Sequence, residues 1–284
     1  MKFAIDAAEN GLLPDPVVRA GMRRLIARRL AAHRDQMPSA RTQAFRDLVA
    51  QLRQGPIAVH TQDANAQHYE VPSAFFERHL GPRLKYSCCW FERGNESLAD
   101  GEEAMLRLYA QRAELDSLQP GDQVLDLGCG WGSLSLWLAE RYPHLRITGL
   151  SNSHGQRHHI EARAKARGLS NLRIVTDNIA TCEDLPGLGD DRFARVMSIE
   201  MFEHMRNHGA LMAKLRRWMR DDAKLFVHIF AHPTLCYLYE VEDESDWMTQ
   251  YFFLGGIMPS EHLLTQYQDD MRLVNQWWVD GTHY

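Results

Sequence analysis

Short apolar runs, separated by turns rich in glycine, proline and aspartate, recur through the centre of the chain and predict five strands. The segments between them are typical of helices, except for a loop of proline, glycine and aspartate at 184–191. Strands that alternate with helices predict right-handed crossovers and a mostly parallel sheet, with its site at the carboxyl edge of the strands. The predicted strands are 124–127, 146–150, 172–176, 193–199 and 224–230, and the helices between them are 133–140, 155–167 and 202–219.

The chain before residue 118 has a different pattern, which predicts helices without strands. One helix follows Pro14, a second closes at Gly55, and two more are predicted over 73–80 and 98–118. We therefore divide the chain into a helical region at 1–117, a core at 118–232 and a final region at 233–284 that carries the substrate side and a last strand. The apolar face of the first helix consists of Val17, Met22, Leu25, Ile26 and Leu30.

The nonapeptide Val-Leu-Asp-Leu-Gly-Cys-Gly-Trp-Gly at 124–132 joins the first strand to the first core helix. Its glycines have G-x-G-x-G spacing, and Ser133 stands where a dinucleotide fingerprint has its third glycine. A strand, a glycine turn and a helix in this order present backbone N–H groups to a nucleotide-like ligand. With Asp126 at the strand end, the spacing resembles the first motif of S-adenosylmethionine (SAM) dependent methyltransferases. An ordinary glycine turn in an α/β protein has the same form.

Polar residues follow the second predicted strand at the same edge of the sheet. Ser151 and Asn152 can hydrogen-bond ligand hydroxyls. An equally good interpretation is a polar N-cap, with Ser153 starting the next helix.

A charged group follows the fourth predicted strand. Glu200, Glu203 and His204 share one face at i, i+3 and i+4 if a helix starts there. Two carboxylates and an imidazole beside the glycine turn could hold an ammonium group and take its proton. An amine nucleophile needs such a base because its pKa is about 10. Glutamates are also favoured at any helix start by the helix dipole, so the motif alone leaves both interpretations open.

Composition excludes several partners. A net charge of -5 and a pI of about 6.3 do not indicate nucleic-acid binding. Five cysteines without paired metal spacings fit reduced thiols in the cytoplasm and no metal. No apolar stretch approaches the roughly 20 residues of a membrane span, and no signal-peptide core is present. Six arginines between Arg19 and Arg34 predict a solvated helix face, with an anionic membrane surface as the alternative.

Several blocks occur together in one order: Tyr86-Ser87-Cys88, the glycine motif, Asn152-Ser153-x-x-Gln156, Glu200-x-x-Glu203-His204 and Val227-His228. Together they resemble the cyclopropane fatty acid synthase superfamily of SAM-dependent methyltransferases. The blocks that begin at Glu200, Leu225, Asp246 and Gly255 are more similar to its coclaurine N-methyltransferase branch. The resemblance runs from about Glu9 to Tyr284. It implies a Rossmann-like class I fold under an N-terminal helical lid, SAM as cofactor, S-adenosylhomocysteine (SAH) as product and a small, benzylisoquinoline-like aromatic amine as substrate.

The resemblance also implies roles for individual residues. Glu200, Glu203 and His204 would orient and deprotonate the amine. Aromatic side chains could enclose it by cation–π contact; the candidates are Tyr69, Phe91, Trp247, Tyr251 and Phe252. The cofactor-binding residues would be Tyr86, Ser87, Asp126, Gly128 and Gly130 around the methionine part, Ser151, Asn152 and Gln156 at the ribose, and Asp177, Asn178 and Ile179 at the adenine.

The lipid-modifying cyclopropane synthases of the same superfamily give a competing interpretation. They resemble this chain at Cys88, Glu203 and His228, which would correspond to ligands of a bicarbonate that removes a proton from the transferred methyl. The synthases usually have glycine at the position of Glu200, and Ile179 replaces a polar residue that this chemistry uses. We therefore favour amine methylation, and expect contact with a membrane surface only under the lipid alternative.

The end of the sequence also departs from these families, whose chains continue into further helices and a strand. We expect either a truncated chain or a sheet that closes with Met271 to Val279 beside the fifth strand. The substrate wall is therefore least predictable there, and the oligomeric state is left open.

Overall fold

The computed structural model describes residues 2–34, 37–59, 72–189, 191–241 and 246–284. Five strands form one sheet in the order β3-β2-β1-β4-β5, and every pairing between neighbours is parallel. This confirms the Rossmann-like fold class with a mostly parallel sheet. The strands are β1 (Gln123–Leu127), β2 (Arg146–Ser151), β3 (Leu172–Thr176), β4 (Phe193–Ile199) and β5 (Met219–His228).

Helices precede the sheet and cover its two faces. None of those in the described parts of the chain has the length and apolar character needed to cross a membrane. Before the sheet lie α1 (Lys2–Glu9), α2 (Asp15–Arg34), α3 (Pro38–Gln54), α4 (Ser73–His79) and α5 (Leu98–Arg112); within it lie α6 (Ser133–Arg141), α7 (His154–Ala166) and α8 (His208–Trp218).

The central strand β1 is buried at all five positions, as expected of a parallel sheet covered on both faces. Successive side chains of a strand point to opposite faces, so neighbouring residues enter different cores. Leu125 packs with α3 and α8, whereas Val124 packs with α5 and α6. The glycine turn that follows β1 is therefore anchored by two hydrophobic layers.

The helix predicted over 202–219 begins later, at His208. Glu200 has a φ of +51°, in the left-handed region that non-glycine side chains rarely adopt. A single 3₁₀ turn, Phe202–His204, follows, and the chain is extended again at Met205. The prediction that Glu200, Glu203 and His204 share one helix face is therefore wrong, because the backbone reverses before any helix can start.

Two other predicted boundaries move by five residues or more, and one predicted apolar face is exposed. The helix from Leu98 ends at Arg112 rather than at 118, because Glu114 has a φ of +55° and a 3₁₀ turn follows at Leu115–Ser117. The fifth strand begins at Met219, five residues before its predicted start. The apolar face of α2 stays largely in solvent: Val17, Met22 and Ile26 are each more than half exposed.

The region after β5 contains little regular structure. Tyr237–Leu238 (β6) and Ile257–Met258 (β7) form a two-residue antiparallel pair. Residues Met271 to Val279 contain no strand and lie across a groove of about 610 Å³ from β5. Within the described ranges β5 is therefore an edge strand, and the predicted closing strand is not formed.

Candidate active site

The glycine turn after β1 has a backbone that only glycine adopts readily. Gly128, Gly130 and Gly132 have φ values of +81°, +51° and +81°. A Cβ on Gly128 would lie 2.7 Å from the Met201 side chain, and one on Gly132 would lie 2.6 Å from Ile160. A Cβ on Gly130 would meet nothing within 4 Å. The turn is thus packed on two sides and open to a ligand at Gly130.

Asp126 holds this turn from below. Its Oδ2 accepts a hydrogen bond of 2.6 Å from the Ser135 hydroxyl in α6. Burial raises the pKa of Asp126 to about 6, because the charged form loses its hydration. The predicted cofactor residue Asp126 therefore fixes the turn and is not among the residues that line the cavity beside it.

A cavity opens at the carboxyl edge of the strands, where the sheet topology places ligand sites. Its polar wall includes Ser151, whose hydroxyl lies 2.6 Å from Gln156 Oε1. The Nε2 group of Gln156 is buried and has no hydrogen-bond partner among the described residues. An orphaned donor beside a serine fits a ligand hydroxyl such as that of a ribose. The predicted residues that line the cavity are Gly128, Gly130, Ser151, Asn152, Gln156, Asp177, Ile179, Glu200 and His204.

The loop after β3 closes one end of the cavity. Asp177 accepts a bond of 2.7 Å from the Asn178 N–H, and Asn178 accepts one of 2.9 Å from Ala180. Lys214 of α8 donates to the carbonyl oxygen of Ile179 at 2.8 Å. Asp177 and Ile179 therefore face the cavity on a fixed loop, while the predicted residue Asn178 is not among its lining residues.

The segment at 84–91 covers the other side of the glycine turn. Tyr86 packs edge-on against Phe76 of α4 with ring centroids 5.3 Å apart, and Phe76 contacts Trp131 of the turn at 4.9 Å. The Ser87 hydroxyl accepts a bond of 2.5 Å from Lys85 Nζ. Tyr86 therefore borders the turn through Phe76, and neither of the predicted residues Tyr86 and Ser87 is among those that line the cavity.

Glu200 and Glu203 are held by different partners. The Glu200 carboxylate accepts two hydrogen bonds. Its Oε1 accepts one of 3.1 Å from the Cys88 N–H, and its Oε2 accepts one of 2.6 Å from the Tyr284 hydroxyl. Glu203 is only 1% exposed, and its Oε1 accepts a hydrogen bond of 3.2 Å from the Phe230 N–H. Its Oε2 has no hydrogen-bond partner among the described residues. One buried carboxylate oxygen therefore has unused bonding capacity.

Their surroundings also separate the two carboxyl groups electrostatically. Burial raises the pKa of both. At Glu200 the hydrogen bonds from Tyr284 and Cys88 and the positive charge of Lys85 oppose that effect. At Glu203 the negative charge of Glu200 adds to it, so its pKa lies well above its ordinary value. Glu203 thus has the stronger tendency of the two to bind a proton.

An aromatic cluster surrounds His204. The imidazole stacks on the Phe253 ring with centroids 5.3 Å apart. Phe253 also stacks on Tyr239 at 5.2 Å and meets Phe230 edge-on at 5.2 Å. Sequence reasoning missed this cluster, because nothing in the pattern distinguishes Phe253 from its neighbour Phe252 in the same block.

The predicted aromatic candidates lie mostly elsewhere. Trp247 and Tyr251 are 42% and 56% exposed, and they contact each other. The Phe91 ring lies against Gly101 of α5. Phe252 meets Phe253 edge-on at 4.8 Å and is the candidate nearest the cluster. Tyr69 lies outside the described residues.

The positions of the competing interpretation are buried beside the same carboxylates. The Cys88 thiol donates to the Cys89 carbonyl at 3.2 Å, and burial raises its pKa to about 11. His228 meets Tyr109 edge-on at 5.3 Å, and burial lowers its pKa to about 3. Near neutral pH these groups are therefore a thiol and a neutral imidazole.

Comparison with known proteins gives one consistent set of relatives. The family model described as mycolic acid cyclopropane synthetase matches residues 58–283. An (S)-coclaurine N-methyltransferase of Thalictrum flavum subsp. glaucum is 37% identical, covering 97% of this chain and 75% of that protein. The enzyme of the same name from Papaver somniferum is 34% identical over 97% of this chain and 77% of its own length.

A solved structure resembles nearly the whole chain. It is a crystal structure of coclaurine N-methyltransferase bound to N-methylheliamine and SAH. Its TM-score is 0.91 and its sequence identity 36%, and the match covers 99% of this chain and 79% of that one.

Proposed function

This chain belongs to the mycolic acid cyclopropane synthetase family and is a SAM-dependent methyltransferase, and we propose that it N-methylates a small aromatic amine of the benzylisoquinoline type. The names of its relatives support an amine acceptor. The observation that carries the proposal is the Glu203 carboxylate, buried with one oxygen lacking a hydrogen-bond partner among the described residues. It lies next in sequence to His204, which borders the cavity.

The cavity at the strand edge suits the cofactor. Gly130 would let the methionine part of SAM approach the turn, with Tyr86 and Ser87 at its border. The Ser151 hydroxyl and the unused Nε2 group of Gln156 would hold the ribose. Asp177, Asn178 and Ile179 would flank the adenine. SAM supplies an electrophilic methyl group on a positively charged sulfur.

The two glutamates would then divide the work on the amine. An amine with a pKa of about 10 arrives protonated and must lose that proton before it can attack. The raised pKa of Glu203 brings this carboxylate closer to the pKa of the amine than an ordinary glutamate would be. Glu203 and His204 would accept the proton, directly or through water, and Glu200 would stay charged and stabilise the positive nitrogen.

The aromatic cluster at His204 would complete the acceptor site. Phe253, Tyr239 and Phe230 present ring faces and edges to one another. Such a wall attracts a cationic nitrogen and packs against an aromatic substrate. Holding the amine next to the methyl donor in this way would lower the activation barrier by several kcal/mol through positioning alone.

A labelled-methyl experiment tests the proposal. The enzyme is incubated with SAM that carries a fully deuterated methyl group, in the presence of a 1-benzyl-tetrahydroisoquinoline amine and of vesicles of unsaturated phospholipid. We expect an N-methylated amine that keeps every deuterium. A cyclopropane lipid product that has lost one deuterium would establish the competing reaction, and SAH binding without any product would refute catalysis.

A further inference from the structure

A buried cation lies behind Glu200 and has no part in the mechanism above. Lys85 is 4% exposed. Its Nζ donates a hydrogen bond of 2.5 Å to the Ser87 hydroxyl and one of 3.0 Å to the Tyr109 hydroxyl. The Lys85 backbone N–H donates 3.0 Å to Glu102 of α5, which fixes the segment. Burying an ammonium is costly unless an anion compensates it. The charge that most favours the protonated form of Lys85 is the carboxylate of Glu200.

A phenol holds the same carboxylate from another direction. The Tyr284 hydroxyl donates 2.6 Å to Glu200 Oε2, although the residue as a whole is 70% exposed. The neighbouring His283 fixes Tyr284 in place. The His283 ring stacks on Trp90 with centroids 4.4 Å apart, and its Nδ1 accepts a hydrogen bond of 3.1 Å from the Phe91 N–H. Two separate parts of the chain thus converge on one glutamate.

The charges around Glu200 make Lys85 distinctive. The other neighbours carry no positive charge: Tyr284 and the Cys88 N–H donate hydrogen bonds to the carboxylate, and the charge of Glu203 repels it. Among the described groups that face Glu200, Lys85 alone is cationic near neutral pH. These groups are Lys85, Tyr86, Cys88 and Cys89 from the covering segment, Tyr109 from α5, Glu203 from the 3₁₀ turn and Tyr284.

We propose that Lys85 and Tyr284 are positioning residues for methyl transfer, which keep the Glu200 carboxylate charged and in one orientation beside the amine. The inference rests on the proposed N-methylation. It gives a physical reason for Glu200 to keep its charge, because the hydrogen bond from Tyr284 and the charge of Lys85 oppose the rise in pKa that burial causes. It also explains why Glu203, which lacks both partners, is left to take the proton.

The expected effect has a definite sign. The Lys85 charge lowers the pKa of Glu200, so its loss raises that pKa. Protonated Glu200 no longer stabilises a cation, so the acid limb of the kcat/KM profile moves to higher pH. In Lys85→Met we expect a smaller upward shift than in Tyr284→Phe, because the Tyr284 hydrogen bond lowers the pKa of Glu200 more than the Lys85 charge does. Tyr284→Phe removes a hydrogen bond to the carboxylate and should shift the limb in the same direction.

Two matched controls are available. Lys224→Met removes an exposed lysine that pairs with Glu114 at 2.6 Å on the surface. Tyr142→Phe removes a phenol that donates 2.9 Å to the Asp116 carboxylate. Both should leave the acid limb in place. A merely structural loss in the test variants would lower activity equally at every pH, and that result would overturn the proposal.

A double-mutant cycle with Glu200→Gln measures whether Tyr284 acts through Glu200. If Tyr284 acts through the Glu200 carboxylate, Tyr284→Phe should have no further effect on kcat/KM in the Glu200→Gln background. Independent, multiplying losses would overturn the proposal. A wild-type enzyme that methylates no amine would refute the proposed function and this inference together. An enzyme that does methylate amines, with an unmoved limb in both variants, would refute the inference alone.

Discussion

Glu200 and Glu203 are chemically the same side chain, and we propose that only their neighbours give them different tasks. Glu200 has a phenol, a backbone N–H and a buried ammonium on its side, whereas Glu203 has one backbone donor and a negative neighbour. Environments that push two carboxyl pKa values apart are the usual way for one site to contain both an anion and a base. The acid–base chemistry of this site therefore depends on packing as much as on residue type.

The first prediction concerns Asp126, whose pKa burial raises from 3.8 to about 6. Its folded-state pKa is the higher one, so its stabilising contribution is complete below pH 3.8 and disappears as the pH rises through 6. Asp126→Asn removes this dependence and can still accept the Ser135 bond. We expect the variant to gain about 1.4 kcal/mol over wild type between pH 5 and pH 7.5, as measured by urea unfolding.

An identical difference between variant and wild type at both pH values would contradict the burial argument for Asp126. Asp222→Asn is a suitable control, because that carboxyl lies on the surface and is 76% exposed.

Single residues show how far the sequence could predict the site. The glycine turn and the glutamate pair follow from motifs, because both depend on fixed spacing along the chain. Lys85 lies next to the predicted Tyr86 but was missed, since its role depends on a charge 115 positions away at Glu200. Tyr284 and Phe253 were missed for the same reason: their partners are distant in sequence.

At the scale of secondary structure, the strands were the most predictable elements. The third and fourth strands have the predicted bounds, because each is a short, mostly apolar run between turn residues, although β3 lies at the sheet edge and buries only Ile174. The helix after β4 was not predictable. Glutamate and phenylalanine have no strong preference for a left-handed residue and a 3₁₀ turn, and tertiary contacts impose that conformation.

Asn207 makes the start of α8 a structural junction. Its side-chain oxygen accepts a hydrogen bond of 2.9 Å from the Ala210 N–H. Its side-chain nitrogen donates hydrogen bonds to two carbonyl oxygens at the end of α3, of 3.0 Å to Arg53 and of 2.8 Å to Gly55. Asn207→Ala loses the cap and leaves two carbonyls unpaired. We expect a loss of roughly 2 kcal/mol in the free energy of unfolding, from chemical denaturation.

Ser153→Ala is the matched control for Asn207, because it removes a helix cap alone. Its hydroxyl accepts 3.3 Å from the Gln156 N–H at the start of α7. We expect a smaller loss of about 1 kcal/mol. If both variants lose the same amount, the links from Asn207 to α3 contribute nothing.

At the scale of the whole molecule, α1 and α2 contact the region after β5, whereas α3 packs on α8. Arg29 of α2 donates 3.0 Å to Asp246 and lies over the Tyr237 ring at 5.1 Å. The Trp247 indole N–H donates a hydrogen bond of 2.6 Å to the Glu9 carboxylate of α1. The glycine turn is covered instead by α4 and the segment at 84–91. We therefore propose that the predicted lid consists of two parts, one for each reactant.

Arg29→Ala tests this division. Loss of the ion pair and of the cation–π contact weakens the attachment of α2 by about 1 kcal/mol. We expect amide hydrogens of α2 to exchange about fivefold faster and the KM of the amine to rise, with SAH affinity unchanged. Arg23→Ala, an exposed arginine on the same helix, is the control. Weaker SAH binding in Arg29→Ala alone would show that α2 covers the cofactor.

The most direct test of the central claim is the pH dependence of Glu203→Gln. The claim is that a buried carboxylate takes the proton of the amine. At pH 7.5 we expect kcat/KM to fall by roughly 10²-fold or more, with SAH affinity preserved. The loss should shrink as the pH approaches the amine pKa of about 10, because the amine then arrives unprotonated. Full activity at pH 7.5, or an equal loss at every pH, would contradict the account.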